Sequence, residues 1–193
     1  MPISARTLWK RLGRSRIWSI WWMAPVLATL IWAAQGGVQD PKLDRTDTQI
    51  ALKGMYLFQF AKGNDWPSSV KSGPFVVAIH GKPALVENLA QKYAAAVIGS
   101  QSLRIESVEN AGDVGNVHVL YTEATGPELE RILSAVKGQP TLVVTAMQQG
   151  LPPGVGVNLY PSDNQLRYEI NFQEAEKRGI LVGNRIASWA VNR

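Results

Sequence analysis

From Thr48 onward, apolar residues at helical spacing alternate with short β-branched runs. This restricts the fold more than any other feature, because it calls for an α/β sheet with covering helices. A first helix is expected over residues 48–62, apolar on most sides (Leu52, Met55, Tyr56, Leu57, Phe58, Phe60), largely buried and ending before Trp66-Pro67. Residues 75–79, bounded by Gly73-Pro74 and Gly81, suit a strand covered on both faces. Leu85, Val86, Leu89 and Tyr93 return to helical spacing, and residues 103–108 and 117–121 read as strands separated by the turn-rich 110–116. Leu129, Ile132, Leu133 and Val136 form an i, i+3, i+4, i+7 stripe ahead of another strand at 141–145. Residues 155–160 and 165–171 flank a turn cluster, Pro161 to Asn164, and predict a hairpin. A short helix over 174–178 closed by Gly179 and a terminal helix over 184–191, docked through Ile186, Trp189 and Ala190, complete one domain. The expected class is α/β, a single domain with a mixed, mostly parallel sheet, a C-terminal hairpin and a terminal helix.

The first 39 residues carry five cations (Arg6, Lys10, Arg11, Arg14, Arg16) and no acid, and an apolar run follows from Ile17 to Ala34. Cations stay on the cytoplasmic side while the apolar run enters the translocon, so residues 1–36 are expected to be an export signal. Ala34-Gln35-Gly36 offers a small-residue cleavage site before Gly37. The apolar run of eighteen residues is longer than the usual signal core of about 7 to 15 and close to the span of about 20, so an uncleaved anchor stays open. Lys10-Arg11 is not a twin-arginine motif, which leaves the general secretory route and a periplasmic location. Residues 37–47 are polar and read as a tether, and 48–193 as the folded domain.

Those five cations equal the formal net charge of +5, so the exported part is neutral. Tracking a nucleic acid needs a surplus of cations on the folded part, and none is present. Cysteine is absent, which excludes disulfides, thiol chemistry and thiolate metal sites and leaves packing to hold the fold. Five of the seven tryptophans lie in the first 32 residues, leaving Trp66 and Trp189 to the domain.

The segment Tyr56-Leu-Phe-Gln-Phe-Ala-Lys-Gly-Asn-Asp-Trp-Pro67, the His118-Val-Leu120 strand, and Leu166-Arg-Tyr-Glu-Ile-Asn171 followed by Ala175 and Gly179-Ile180 resemble the YfiR family, in order, over essentially the whole exported part. The resemblance implies a periplasmic repressor that holds an inner-membrane diguanylate cyclase inactive through its extracytoplasmic domain, controlling cyclic di-GMP and biofilm formation from outside the membrane. It also makes Lys62, Trp66, Arg167, Glu169 and Asn171 the candidate partner-binding residues. A periplasmic sensor of small molecules or envelope stress, acting on another receptor such as a histidine kinase, is the alternative, and a homodimer is left open. The chain departs from the family pattern at Val117, where cysteine is common, at Gly63, where an aromatic is usual, and at Gly183-Asn184, where Ser-Ser is usual.

Beside this, each residue has a plainer reading. Trp66 before Pro67 is expected to seal the first helix as buried mass. Arg167 and Glu169 alternate with Leu166, Tyr168 and Ile170, so they share one strand face, where a structural ion-pair lattice is expected. His80 and His118, the chain's two histidines, have no neighbouring carboxylate motif and make no zinc site, which generally needs three protein ligands when catalytic. Gly154-Val-Gly156 lacks the rest of a dinucleotide fingerprint, and Asp163-Asn164 lacks the later ligands of a calcium loop. No nucleophile elbow is present. The sequence supports no catalytic residues, metal or cofactor, and no enzyme class.

Overall fold

The computed structural model describes residues 41–191 apart from Gln149 and Asn164. The export signal expected over 1–36 therefore lies outside the described residues. Two units divide the chain at residues 43 and 44, and the whole sheet lies in the second.

Helix α1 (Pro41–Gly63) precedes β1 (Phe75–His80), α2 (Pro83–Tyr93), β2 (Val97–Ile98), β3 (Gln101–Val108), β4 (Val119–Thr122) and α3 (Gly126–Ala135). Then follow β5 (Leu142–Ala146), β6 (Val157–Ser162), β7 (Gln165–Ile170), α4 (Phe172–Lys177) and α5 (Asn184–Trp189). The first helix starts at Pro41, seven residues earlier than the apolar pattern predicts, and so takes up most of the expected tether. Proline is favoured at a helical N1 position, where its missing N–H costs nothing, and polar residues there fill an exposed turn.

The sheet order is β2-β3-β1-β4-β5-β6-β7. β3, β1, β4, β5 and β6 are parallel, and the edge strands β2 and β7 are antiparallel to their neighbours. The mixed, mostly parallel sheet expected from the alternation is thus present. The two-residue β2 was not foreseen, being too short to show periodicity. In the hairpin, Ser162 pairs with Gln165, and Asp163 leaves β6 at φ 49°.

The central strands are buried on both faces because helices cover each. Val77, Ile79, Val119, Tyr121, Val144, Leu159 and Tyr168 face Leu57 and Phe60 of α1, Leu85 and Leu89 of α2, and Ile186 of α5. Val76, Ala78, Leu120 and Val143 face Leu129, Ile132 and Val136 of α3. Leu133 of the predicted stripe is only half-buried, packed at the edge of that second cluster. Residue Trp189 of α5 is 66% exposed rather than docked, whereas Ile186 is buried in the core and Ala190, just past the helix, packs against the same cluster.

Candidate functional site

The candidate residues fall in two places on opposite faces of the sheet. The first is the end of α1. Lys62 is exposed, while Trp66 turns inward and is 4% exposed, its ring edge-on to Phe75 of β1 at 4.9 Å. The chain between them is fixed by backbone pairing with a distant segment: Asp65 N donates to Leu181 O, and Leu181 N to Asp65 O, both at 2.9 Å. Asn64 adds two bonds, donating from Nδ2 to Phe60 O at 3.0 Å and accepting at Oδ1 from Gly183 N at 3.1 Å.

This seam explains two departures from the family pattern together. A Cβ on Gly63 would overlap Ile186, at 2.6 Å from its Cγ1, and a Cβ on Gly183 would overlap the carbonyl oxygen of Gly63. The substituted positions are therefore spatial neighbours, a relation hidden in sequence because 120 residues separate them.

The second place is the face of the hairpin opposite α1. Arg167 and Glu169 share that face, as their alternation requires, yet no ion pair joins them among the described residues. The expected ion-pair lattice is replaced by a hydrogen-bonded hub. Glu169 is 8% exposed and accepts from Asn158 Nδ2 at 3.1 Å. Asn158, fully buried, also accepts at Oδ1 from Thr145 Oγ1 (2.9 Å) and from Met147 N (2.8 Å), and its Nδ2 faces the carbonyls of Met147 and Gly150. Each of these groups would be costly to bury unpaired, so the hub holds the backbone of Met147 and Gly150 against the hairpin. The Nε of Arg167 is buried with no partner among the described residues. Asn171 caps α4, accepting at Oδ1 from Glu174 N at 3.0 Å. Trp66 and Glu169 are separated by β4, β5 and β6, so the five candidates do not form one continuous surface.

A third cluster escaped sequence reading. At the carboxyl ends of β1 and β4, Glu123 accepts from Lys53 of α1 (2.8 Å), Lys82 (2.6 Å) and the Tyr121 hydroxyl (2.5 Å). Burial works to raise the Glu123 carboxyl, but these three donors outweigh it and bring it down to about 2. Burial, together with the adjacent carboxylate, pushes the Tyr121 hydroxyl far above its ordinary value. Nearby, His80 Nδ1 lies 3.1 Å from Thr122 Oγ1 and Nε2 lies 3.8 Å from Glu128 Oε1. β1 leads to α2 on one face and β4 to α3 on the other, so the cluster sits where the direction of strand connection reverses. The sequence signal was Lys53, a cation inside the apolar stretch of α1 from Ile50 to Phe60, and its partner could not be read without the fold.

His118 lies at the opposite, amino end of β4. Its Nδ1 accepts from Val76 N at 3.1 Å and its Nε2 faces Val70 O at 2.9 Å. A neutral ring protonated at Nε2 satisfies both, so His118 serves the core. Among the described residues no group of three or more His, Cys, Asp or Glu could hold a metal ion, and no helix is long and apolar enough to cross a membrane.

A family model described as YfiR/HmsC-like matches residues 50–190, from the third turn of α1 beyond the end of α5. None of the curated proteins matches the chain.

Proposed function

We propose, from the premise that the chain belongs to the YfiR/HmsC-like family, that it is an exported regulatory binding protein restraining an inner-membrane diguanylate cyclase through that enzyme's extracytoplasmic domain. The observation that carries this reading is the family match across nearly the whole folded unit. Such a repressor needs no chemistry of its own: binding the inactive conformation of the receptor more tightly than the active one shifts the population toward the inactive state.

The partner is met by the two segments identified above, in different ways. Lys62 and the half-buried Arg167 touch it, while buried Trp66 and Glu169 and the capping Asn171 hold those segments in shape. Deleting the protein raises intracellular cyclic di-GMP and surface attachment, and complementation reverses both. Unchanged nucleotide in a strain shown to express the cyclase would overturn the reading. Lys62→Glu reduces co-purification with the cyclase while leaving the melting temperature unchanged, because an exposed lysine contributes little to stability whereas a like charge in an interface is costly.

A further inference from the structure

The two edges of the sheet end differently. On β7 the outward carbonyls of Leu166 and Tyr168 are taken, by the Tyr56 hydroxyl at 2.8 Å and by Val191 N at 2.9 Å. At the other edge β2 covers only the start of β3: it pairs with Gln101 and Ser102, and Ala96 O, just before it, accepts from Leu103 N at 3.0 Å. From Arg104 to Val108 the outer side of β3 is open among the described residues.

Leu103 N points away from β1, whereas Val108 O accepts from Gly81 N on the β1 side at 3.1 Å. Backbone groups alternate sides along a strand, so Ile105 and Ser107 turn both N–H and C=O outward. Neither has a backbone partner there among the described residues. Arg104 and Glu106, paired in register with Val76 and Ala78, share one face and are joined at 2.8 Å. No proline or glycine interrupts residues 104–108 to blunt the edge.

We propose that two copies of the chain pair antiparallel through this edge, with the two-fold axis at Glu106. In that register Ile105 of each copy exchanges backbone bonds with Ser107 of the other, so every free outward position is matched. An axis at Ile105 is blocked, because it sets Ser107 against Leu103, whose N–H Ala96 already holds. β3 stops at Val108 and the chain bends at Glu109, so the second copy ends short of β2. A folded copy fits this edge better than a flexible peptide does. The peptide loses more conformational entropy in becoming a strand than so short a ladder returns, whereas β3 is already ordered by β1. Charge agrees with the pairing: the two Glu106 carboxylates meet at the axis, and each lies between its own Arg104 and, diagonally, Arg104 of the second copy. The pairing does not rest on the repressor reading, and it leaves β7, which carries Arg167, on the outer edge of both copies.

The chain has no cysteine, so a single introduced thiol reports the register. At the axis residue 106 faces itself, with Cβ atoms about 4.5 to 5.5 Å apart, close to the about 3.5 to 4.5 Å of a disulfide. Residue 104 faces Val108 instead. Under mild oxidation of the purified full-length protein, Glu106→Cys therefore forms a disulfide-linked dimer at least about tenfold faster than Arg104→Cys. Chance collision would favour the reverse, since the Arg104 side chain is 57% exposed and that of Glu106 36%. Adding Ser107→Pro to Glu106→Cys removes an outward N–H and abolishes the fast linkage, while the melting temperature of the dilute, reduced protein holds because that N–H bonds nothing within its own copy. Adding Ser107→Ala leaves the linkage fast, because only backbone pairs there. Absent linkage, equal rates at 106 and 104, linkage indifferent to Ser107→Pro, or a lowered melting temperature in that variant would each overturn the proposal. All of this is measured without the cyclase, so its failure leaves the repressor reading intact.

Discussion

At the scale of single residues, the informative side chains are polar ones in apolar company. Glu123 is held ionised by Lys53, Lys82 and Tyr121, with a folded value of about 2 against an ordinary 4.5. Because the folded value is depressed, the unfolded chain takes up the proton first. The stabilisation is fully present above 4.5 and is lost as pH falls toward about 2. The advantage of the wild type over Glu123→Gln, read from urea midpoints, is therefore large at about pH 6 and small at about pH 2.5. A constant difference across that window would show that the carboxylate is not what ties α1 to the sheet. None of this could be read from the chain order, since Lys53, Lys82 and Glu123 come from three separate elements. The shared face of Arg167 and Glu169 was legible, because a strand's alternation is local. The burial of Glu169 was not, because it is met by Asn158 of the neighbouring strand, itself bonded to Met147 and Gly150.

At the scale of elements, periodicity was a sound guide wherever an element has one buried face and is long enough to show it. α3 was legible from four residues, of which Leu129, Ile132 and Val136 are buried and Leu133 is half-buried. Ile132→Ala should accordingly cost about 2 to 5 kcal/mol, from lost burial plus a cavity. Leu133→Ala should cost clearly less, and matched denaturant curves for the two variants decide the point. Equal losses would mean that the helix is rotated from the orientation described. The ends of elements were less legible than their middles. Nothing apolar marks the start of α1 at Pro41, and the short edge strand β2 is defined by pairing with β3 rather than by its own pattern. The terminal helix misled for a related reason: Trp189 looks like a core residue by type, yet α5 has only two turns and seats one side chain, Ile186, in the core.

At the scale of the whole molecule, the two ends of the domain are stitched together. Asp65 pairs with Leu181, Tyr168 Oη donates to Ile186 O at 2.7 Å, and Gly183 packs on Gly63. Substitutions across this seam should not add. Gly183→Ala and Gly63→Ala each lower the melting temperature, and the double variant loses less than the sum, because α5 need shift outward only once to admit both methyl groups. Strict additivity would show that the seam is slack. The closeness of Gly63 and Gly183 also ties the two positions together as sites of change. A side chain larger than hydrogen at either one meets atoms already in place, so an aromatic at 63 or a serine at 183 cannot be put back singly without moving α5. The two glycines therefore act as a single lock, and the chain can take on the family's more usual residues there only by opening both sides of the seam in one displacement.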